Sequence, residues 1–224
     1  MVSIIDISLP LNRDYRHVTP ADVPDVQLEF ERLKDYEGGA GQRVTGVRMR
    51  LHCGTHVDAP MHFKRGGAAI SDLPIETFYG PATLLDLTGI DPGGSIEISD
   101  VKHALMGRPV QHARLLLRTD WNHQYGTSGY EAGSPYISPE AVDWIAARRP
   151  VLVSYDYSHG KDAPNSPEQY YAVRTFLTRD IATMGYVTNL DRIDPTRSAV
   201  LAALPLSFEG VEASPVRAVI IQED

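Results

Sequence analysis

The sequence predicts one α/β domain with a mixed β-sheet over residues 1–224. Three observations carry this expectation. Short β-branched and leucine-rich runs recur, as in SIIDISL (Ser3–Leu9), ARLLLRT (Ala113–Thr119) and PVLVSY (Pro150–Tyr155). Helix starts fall between such runs, the clearest at Ser138-Pro139-Glu140, a capping hydroxyl followed by proline at the first helical position. Strands and helices are interspersed without strict alternation, which argues against a doubly wound parallel sheet.

Taken in order, Ser3–Leu9 opens the chain as a strand. Pro20 and Pro24 punctuate the next segment, and Val26–Tyr36 reads as a short helix or a mobile flap. Val44–Cys53 alternates at its end, with Val47, Met49, Leu51 and Cys53 on one face and Arg48, Arg50 and His52 on the other, the pattern of a half-buried strand. Pro81–Leu87 and Ala113–Thr119 are further strands, and Ser99 caps a short helix through Met106. Pro139–Arg148 is a helix with Ala141, Val142, Ile145 and Ala146 on one stripe. Pro150–Tyr155 follows as a buried strand, Pro167–Arg179 as a helix, and Ala199–Phe208 and Val216–Gln222 as closing strands.

Composition narrows the function classes. The chain carries 21 basic and 29 acidic side chains, a net charge of −8, with 42% apolar residues. A single domain of this length buries ~70% of its unfolded surface, so neither metal nor disulfide is needed simply to fold. An acidic chain without a basic run is a poor ligand for nucleic acid or an anionic membrane. No run approaches the ~20 apolar residues of a membrane helix. Met1–Asp6 lacks the basic segment and apolar core of a signal peptide, and the lone Cys53 cannot form an internal disulfide, so a cytoplasmic protein acting on a small molecule is expected. No GxGxxG or Walker motif supports nucleotide binding.

Three of eight histidines fall between positions 52 and 62, in His52-Cys53-Gly54-Thr55-His56-Val57-Asp58-Ala59-Pro60-Met61-His62-Phe63. Two imidazoles and a carboxylate are donors for zinc, manganese or ferrous iron. In an unbroken strand His52 and His56 would lie ~13 Å apart at ~3.3 Å per residue, too far to share an ion. A helix is opposed by Gly54 and Pro60. A turn at Gly54 that folds His56 back beside His52 satisfies the geometry, and Asp58 then falls on the same side as His56. His52, His56 and Asp58 are the expected ligands, with His62 as general acid/base or fourth ligand.

These residues match the pattern HxGTHxDxPxHF, and on them the sequence resembles the "putative cyclase" family, which includes bacterial kynurenine formamidase and isatin hydrolase. Ile5-Asp6-Ile7-Ser8, Leu73-Pro74 with Gly80-Pro81-Ala82, Leu116-Leu117-Arg118-Thr119 and Ser214-Pro215-Val216-Arg217-Ala218-Val219 look like the family too. The resemblance implies a swivelling β/β/α-type fold and one divalent metal, zinc or manganese, on His52, His56 and Asp58. It implies hydrolysis of a C–N bond in a small, preferably aromatic, amide, formamide or lactam. A metal-bound hydroxide would attack and His62 would shuttle the proton. It also implies a homo-oligomer, a dimer or tetramer, whose N-terminal segments help close the substrate pocket, where Tyr15 to His17 would fall. Formamidase-like members hold a second metal, but Val173 and Gly185 stand at the places of its ligands, so that ion is not expected here.

Trp121 is a substrate-lining candidate or a packed loop aromatic, and His159, Asp156 or Gln169 could partly compensate for the missing second-site ligands. Cys53 reads as a small core residue, Glu131, Glu140 and Glu168 as solvated or helix-terminal charges, and Ser158-His159 lacks the elbow of a serine nucleophile. Two further readings of the same residues are a cyclase or dehydratase acting on a polyketide-like intermediate, and a non-catalytic small-molecule-binding protein.

Overall fold

The apolar runs become the middle of a curled sheet with helices packed on one face. A computed structural model describes residues 1–12, 15, 24–39, 41–158 and 161–223. The first part of the chain gives β1 (Val2–Asp6), β2 (Glu29–Lys34), β3 (Val44–Arg48), β4 (His56–Asp58), β5 (Tyr79–Asp86), β6 (Ser95–Ile96) and α1 (Ile98–Leu105). Then come β7 (Arg114–Arg118), β8 (Tyr136–Ile137), α2 (Pro139–Ala146), β9 (Leu152–Tyr155) and α3 (Tyr171–Thr178). The last strands are β10 (Ala182–Gly185), β11 (Ala199–Ala202), β12 (Ala213–Pro215) and β13 (Val219–Glu223).

Among the described residues nine strands form one sheet in the order β1-β13-β11-β5-β7-β9-β10-β4-β12. Neighbours from β5 to β10 run parallel, and the flanks on both sides are antiparallel. The expected mixed sheet in one α/β domain is therefore what forms. Leu115 and Leu117 of β7 pack on the helix-bearing side with Val153, Val142 and Phe176, while Leu116 packs on the other side with Leu152, Val57 and Ile220. Both faces of β7 are covered, which is why its sequence is a continuous leucine run and not an alternation. Among the described residues no helix is long and apolar enough to cross a membrane.

α2 forms as its sequence predicts: Ser138 Oγ accepts the Ala141 N–H at 3.2 Å, and Ala141, Val142, Ile145 and Ala146 are buried. Five expectations are corrected. Val26–Tyr36 holds no α-helix; β2 pairs antiparallel with β3 as an exposed hairpin, and a 3-10 turn begins at Tyr36. The strand expected through Cys53 ends at Arg48, and Val47 is exposed, because this ribbon has no layer to pack against. The cap of α1 is Glu97, whose N–H is accepted by Asp100 at 2.8 Å, so Ser99 lies inside the first turn. The helix expected from Pro167 begins only at Tyr171, after a left-handed Tyr170, and the strand expected through Phe208 stops at Ala202.

The turn after β7 is anchored to the end of β9 by one buried carboxylate. Asp156 accepts hydrogen bonds from the Thr119 N–H (2.9 Å), the Thr119 hydroxyl (2.6 Å) and the Asp120 N–H (2.8 Å), and so holds Asp120 at φ 61°. Burial pushes its carboxyl up to about 6, against the lowering by those hydrogen bonds. The native state then binds the proton more tightly than the unfolded chain, whose carboxyl titrates near 3.8. This group's contribution to stability therefore falls as pH rises from about 4 to about 6. Urea midpoints of wild type and Asp156→Asn across that interval should show wild type losing ground with rising pH, while the variant lacks that component of the slope.

Candidate functional site

β4 is three residues long and lies between β10 and β12. Thr183 and Ala213 flank Asp58, and Gly185 and Pro215 flank His56. Period two puts His56 and Asp58 on one face of β4 and sends Val57 into the opposite core. The stretch before β4 is irregular, and Gly54 adopts φ +60°, the left-handed turn that the spacing of the histidines requires. Several segments clamp this turn. Tyr15 Oη accepts the Gly54 N–H at 2.8 Å, Thr55 Oγ1 accepts the Leu9 N–H at 2.8 Å and donates to Tyr186 O at 2.6 Å, and Val216 N–H donates to Thr55 O at 3.0 Å.

The turn brings His52 back onto Asp58. His52 Nδ1 lies 2.9 Å and His56 Nε2 3.4 Å from the same oxygen, Asp58 Oδ1. One ligand atom from each of His52, His56 and Asp58 falls within 4.8 Å of the other two. The far end of each side chain is also tied: His52 Nε2 is 3.1 Å from Glu212 Oε1, His56 Nδ1 is 2.8 Å from Gly54 O, and Thr183 Oγ1 donates to Asp58 Oδ2 at 3.2 Å. The near ends converge on one point, and the outer partners select which atoms face it. This donor set fits a divalent cation. Without one, burial lowers the His52 pKa, but the Asp58 and Glu212 carboxylates outweigh it and hold the ring protonated up to about 9. His56 and Asp58 are each 1% exposed, whereas His52 and His62 remain partly accessible.

His62 follows Pro60 in a 3-10 turn and reaches the site from a second direction, its ring centroid 4.4 Å from that of His52 and 4.3 Å from Phe63. Aromatic rings line the other side. Tyr186 lies 5.9 Å from His56, Tyr125 lies 6.3 Å from Tyr186, and Tyr15 stacks on Tyr125 at 6.1 Å.

The structure thus brings His52, His56, Asp58 and His62 together and puts Tyr15 at the hinge. Trp121 is not among them: its Nε1 donates to Tyr130 O at 2.9 Å, and it packs on the helix-side core over Gly133. His159 and His17 lie outside the described residues. Val173 is buried in α3, and Gly185 faces His56 across the ladder without a side chain to offer. Among the described residues no further His, Cys, Asp or Glu joins the three within that radius. Asp120, His123 and Asp191 form a separate, more exposed cluster, where Asp120 is already engaged by Arg118. Cys53 is buried, and burial pushes its thiol up to about 11, in keeping with a core residue. Glu131 is not simply solvated: its carboxylate accepts the Ser158 hydroxyl at 2.5 Å. Sequence reasoning missed Glu212, Thr183, Tyr125 and Tyr186. Thr183, on β10, and Glu212, just before β12, lie far along the chain, and only the ASPVR run after Glu212 gave a signal.

Comparison with known proteins agrees with this fold. The family described as "Putative cyclase" matches residues 5–159. Isatin hydrolase A from Ralstonia solanacearum is similar in structure with a TM-score of 0.88 at 23% identity, covering 99% of this chain and 92% of that one. Isatin hydrolase A from Labrenzia aggregata, solved with benzyl benzoate, gives 0.85 at 24% identity over 98% and 93%. A potential metal-dependent hydrolase with cyclase activity gives 0.77 at 20% identity over 100% of both chains.

The hinge yields a direct test. A Cβ at Gly54 would stand 2.6 Å from Leu11 Cδ2, in a backbone conformation that L-residues avoid. Gly54→Ala should cost about 1–3 kcal/mol of stability, read from denaturant unfolding of the metal-free protein. The same variant should hold a divalent cation more weakly, since His52 can no longer close on Asp58.

Proposed function

The chain belongs to the cyclase family, and on that footing we propose that it is a metal-dependent hydrolase cleaving the C–N bond of a small aromatic amide, formamide or lactam. One observation carries the reading: His52 Nδ1, His56 Nε2 and Asp58 Oδ1 gather at a single point, with His62 beside it. These three residues would hold zinc or manganese, and a divalent ion there polarises a carbonyl oxygen and lowers the pKa of a bound water towards ~7.

The protein's own groups do the rest. Asp58 and the two imidazoles fix the place of the reacting carbonyl. His62, partly exposed and packed at tilted angles against His52 and Phe63, lies on a 3-10 turn outside the sheet and hands a proton to the leaving nitrogen through its ring. Tyr186, tilted against His56, and Tyr125, set edge-on to Tyr186, put aromatic surface beside the histidines that suits an aromatic ring. The isatin hydrolases of the same fold make isatin, an aromatic lactam, the first compound to try.

A second reading, ring closure or dehydration of a biosynthetic intermediate, draws support from Val173 and Gly185. A site with a single ion suits enolisation, in which His62 takes a proton from carbon. Solvent deuterium entering substrate carbon without net hydrolysis would favour it.

Purified protein should contain one divalent ion per chain and hydrolyse isatin or formanilide. Chelation should abolish turnover, zinc or manganese should restore it, and His56→Ala should lower kcat/KM by at least about 10³-fold. Undiminished hydrolysis by chelator-treated protein would overturn the proposal.

Association into a homo-oligomer belongs to the same proposal. The β2–β3 hairpin exposes the paired Phe30 and Val47, and Leu33 at its bulge, apolar surface that a second copy would cover. Sedimentation velocity should show a dimer or tetramer for wild type and a smaller species for a Phe30→Ser, Leu33→Ser double variant.

A further inference from the structure

We propose that Glu212 is the positioning residue that orients the His52 ring, accepting its Nε2–H so that Nδ1 faces the point shared with His56 Nε2 and Asp58 Oδ1. This rests on the metal-centre reading above and extends it to a residue outside the histidine cluster.

The three candidate ligands differ in how firmly they are held. His56 and Asp58 sit on β4, paired on both sides and 1% exposed. His52 lies outside any strand, in the irregular stretch before the hinge, and its side chain is 22% exposed. Backbone pairing therefore fixes two ligands and leaves the third to its own contacts. A neutral imidazole has one lone pair and one N–H, at opposite sides of the ring. An acceptor at one nitrogen consequently decides which nitrogen is the ligand. The acceptor is present, with Glu212 Oε1 3.1 Å from Nε2 while Nδ1 is 2.9 Å from Asp58 Oδ1.

Glu212 is itself well placed for this. Its backbone carbonyl accepts the Ala59 N–H at 2.8 Å, immediately after β4, and β12 starts at the next residue. The carboxylate is thereby registered to the strand that carries the other two ligands. It also differs in kind from the other outer ties. His56 is tied to a backbone carbonyl and Asp58 to a hydroxyl, both neutral, whereas Glu212 brings a charge that strengthens its hydrogen bond and raises the basicity of His52.

The test uses full-length protein stripped with a chelator and titrated with zinc against a chromophoric competitor. Glu212→Ala should weaken zinc binding about 10- to 100-fold. Glu212→Gln, whose amide oxygen still accepts the Nε2–H, should lose less than Glu212→Ala. A purely structural role would not alter the tautomer, so imidazole ¹⁵N shifts of the zinc-loaded protein give a separate readout. His52 should show a single Nε2–H form in wild type and a mixture in Glu212→Ala. If Glu212→Ala fails to fold, the Gln variant and the wild-type ¹⁵N spectrum decide. Zinc binding within twofold of wild type in Glu212→Ala, with His56→Ala unable to bind, overturns this inference alone. A wild-type chain that binds neither zinc nor manganese overturns the metal-centre reading and this inference with it.

Discussion

A buried carboxylate oxygen that receives two imidazole nitrogens is the constraint on which the rest of the site depends. Asp58 is almost wholly removed from water, and a charge there is tolerated only if it is compensated. The compensation comes from His52 and His56 on one oxygen and Thr183 on the other. The left-handed turn at Gly54, the clamps on Thr55 and the placement of β4 between β10 and β12 all serve to bring those partners to one carboxyl group. Loss of any one of them leaves a desolvated charge with fewer partners.

The parallel centre of the sheet carries almost none of this chemistry. In open α/β sheets, ligands commonly bind beyond the carboxyl ends of parallel strands. Here the ends of β7 and β9 are closed on each other by Asp156, whose oxygens are filled by Thr119 and Asp120. The candidate site lies instead on the antiparallel flank, on the strand of three residues that β12 covers. The centre supplies rigidity, through leucines buried on both faces of β7, and the flank supplies the candidate site.

Much of the site was legible because its signal is local. The turn at Gly54, the common face of His56 and Asp58, and the approach of His62 from beyond Pro60 follow from spacing and from what glycine and proline permit. The cap at Ser138 and the buried stripe of α2 were readable for the same reason. What sequence reading missed was non-local. Nothing near Glu212 announces that its carboxylate will meet an imidazole 160 residues earlier. β10 has only four residues and β12 only three, so neither shows periodicity. The hairpin of β2 and β3 failed differently. Alternation over Val44–Cys53 suggested a half-buried strand and Val26–Tyr36 a helix or flap, yet the hairpin has no layer to pack on, so Phe30, Leu33 and Val47 stay exposed.

The long separation between β4 and its partners sets an order of events during synthesis. Val57 emerges from the ribosome early, but Met184 and Ser214, which flank it in the sheet, are made much later. Until then the histidine-rich stretch has no β-ladder to fix it, and Asp58 has neither Thr183 nor a closed hinge beside it. The two ladder partners of β4 are thus both available only once translation has passed β12.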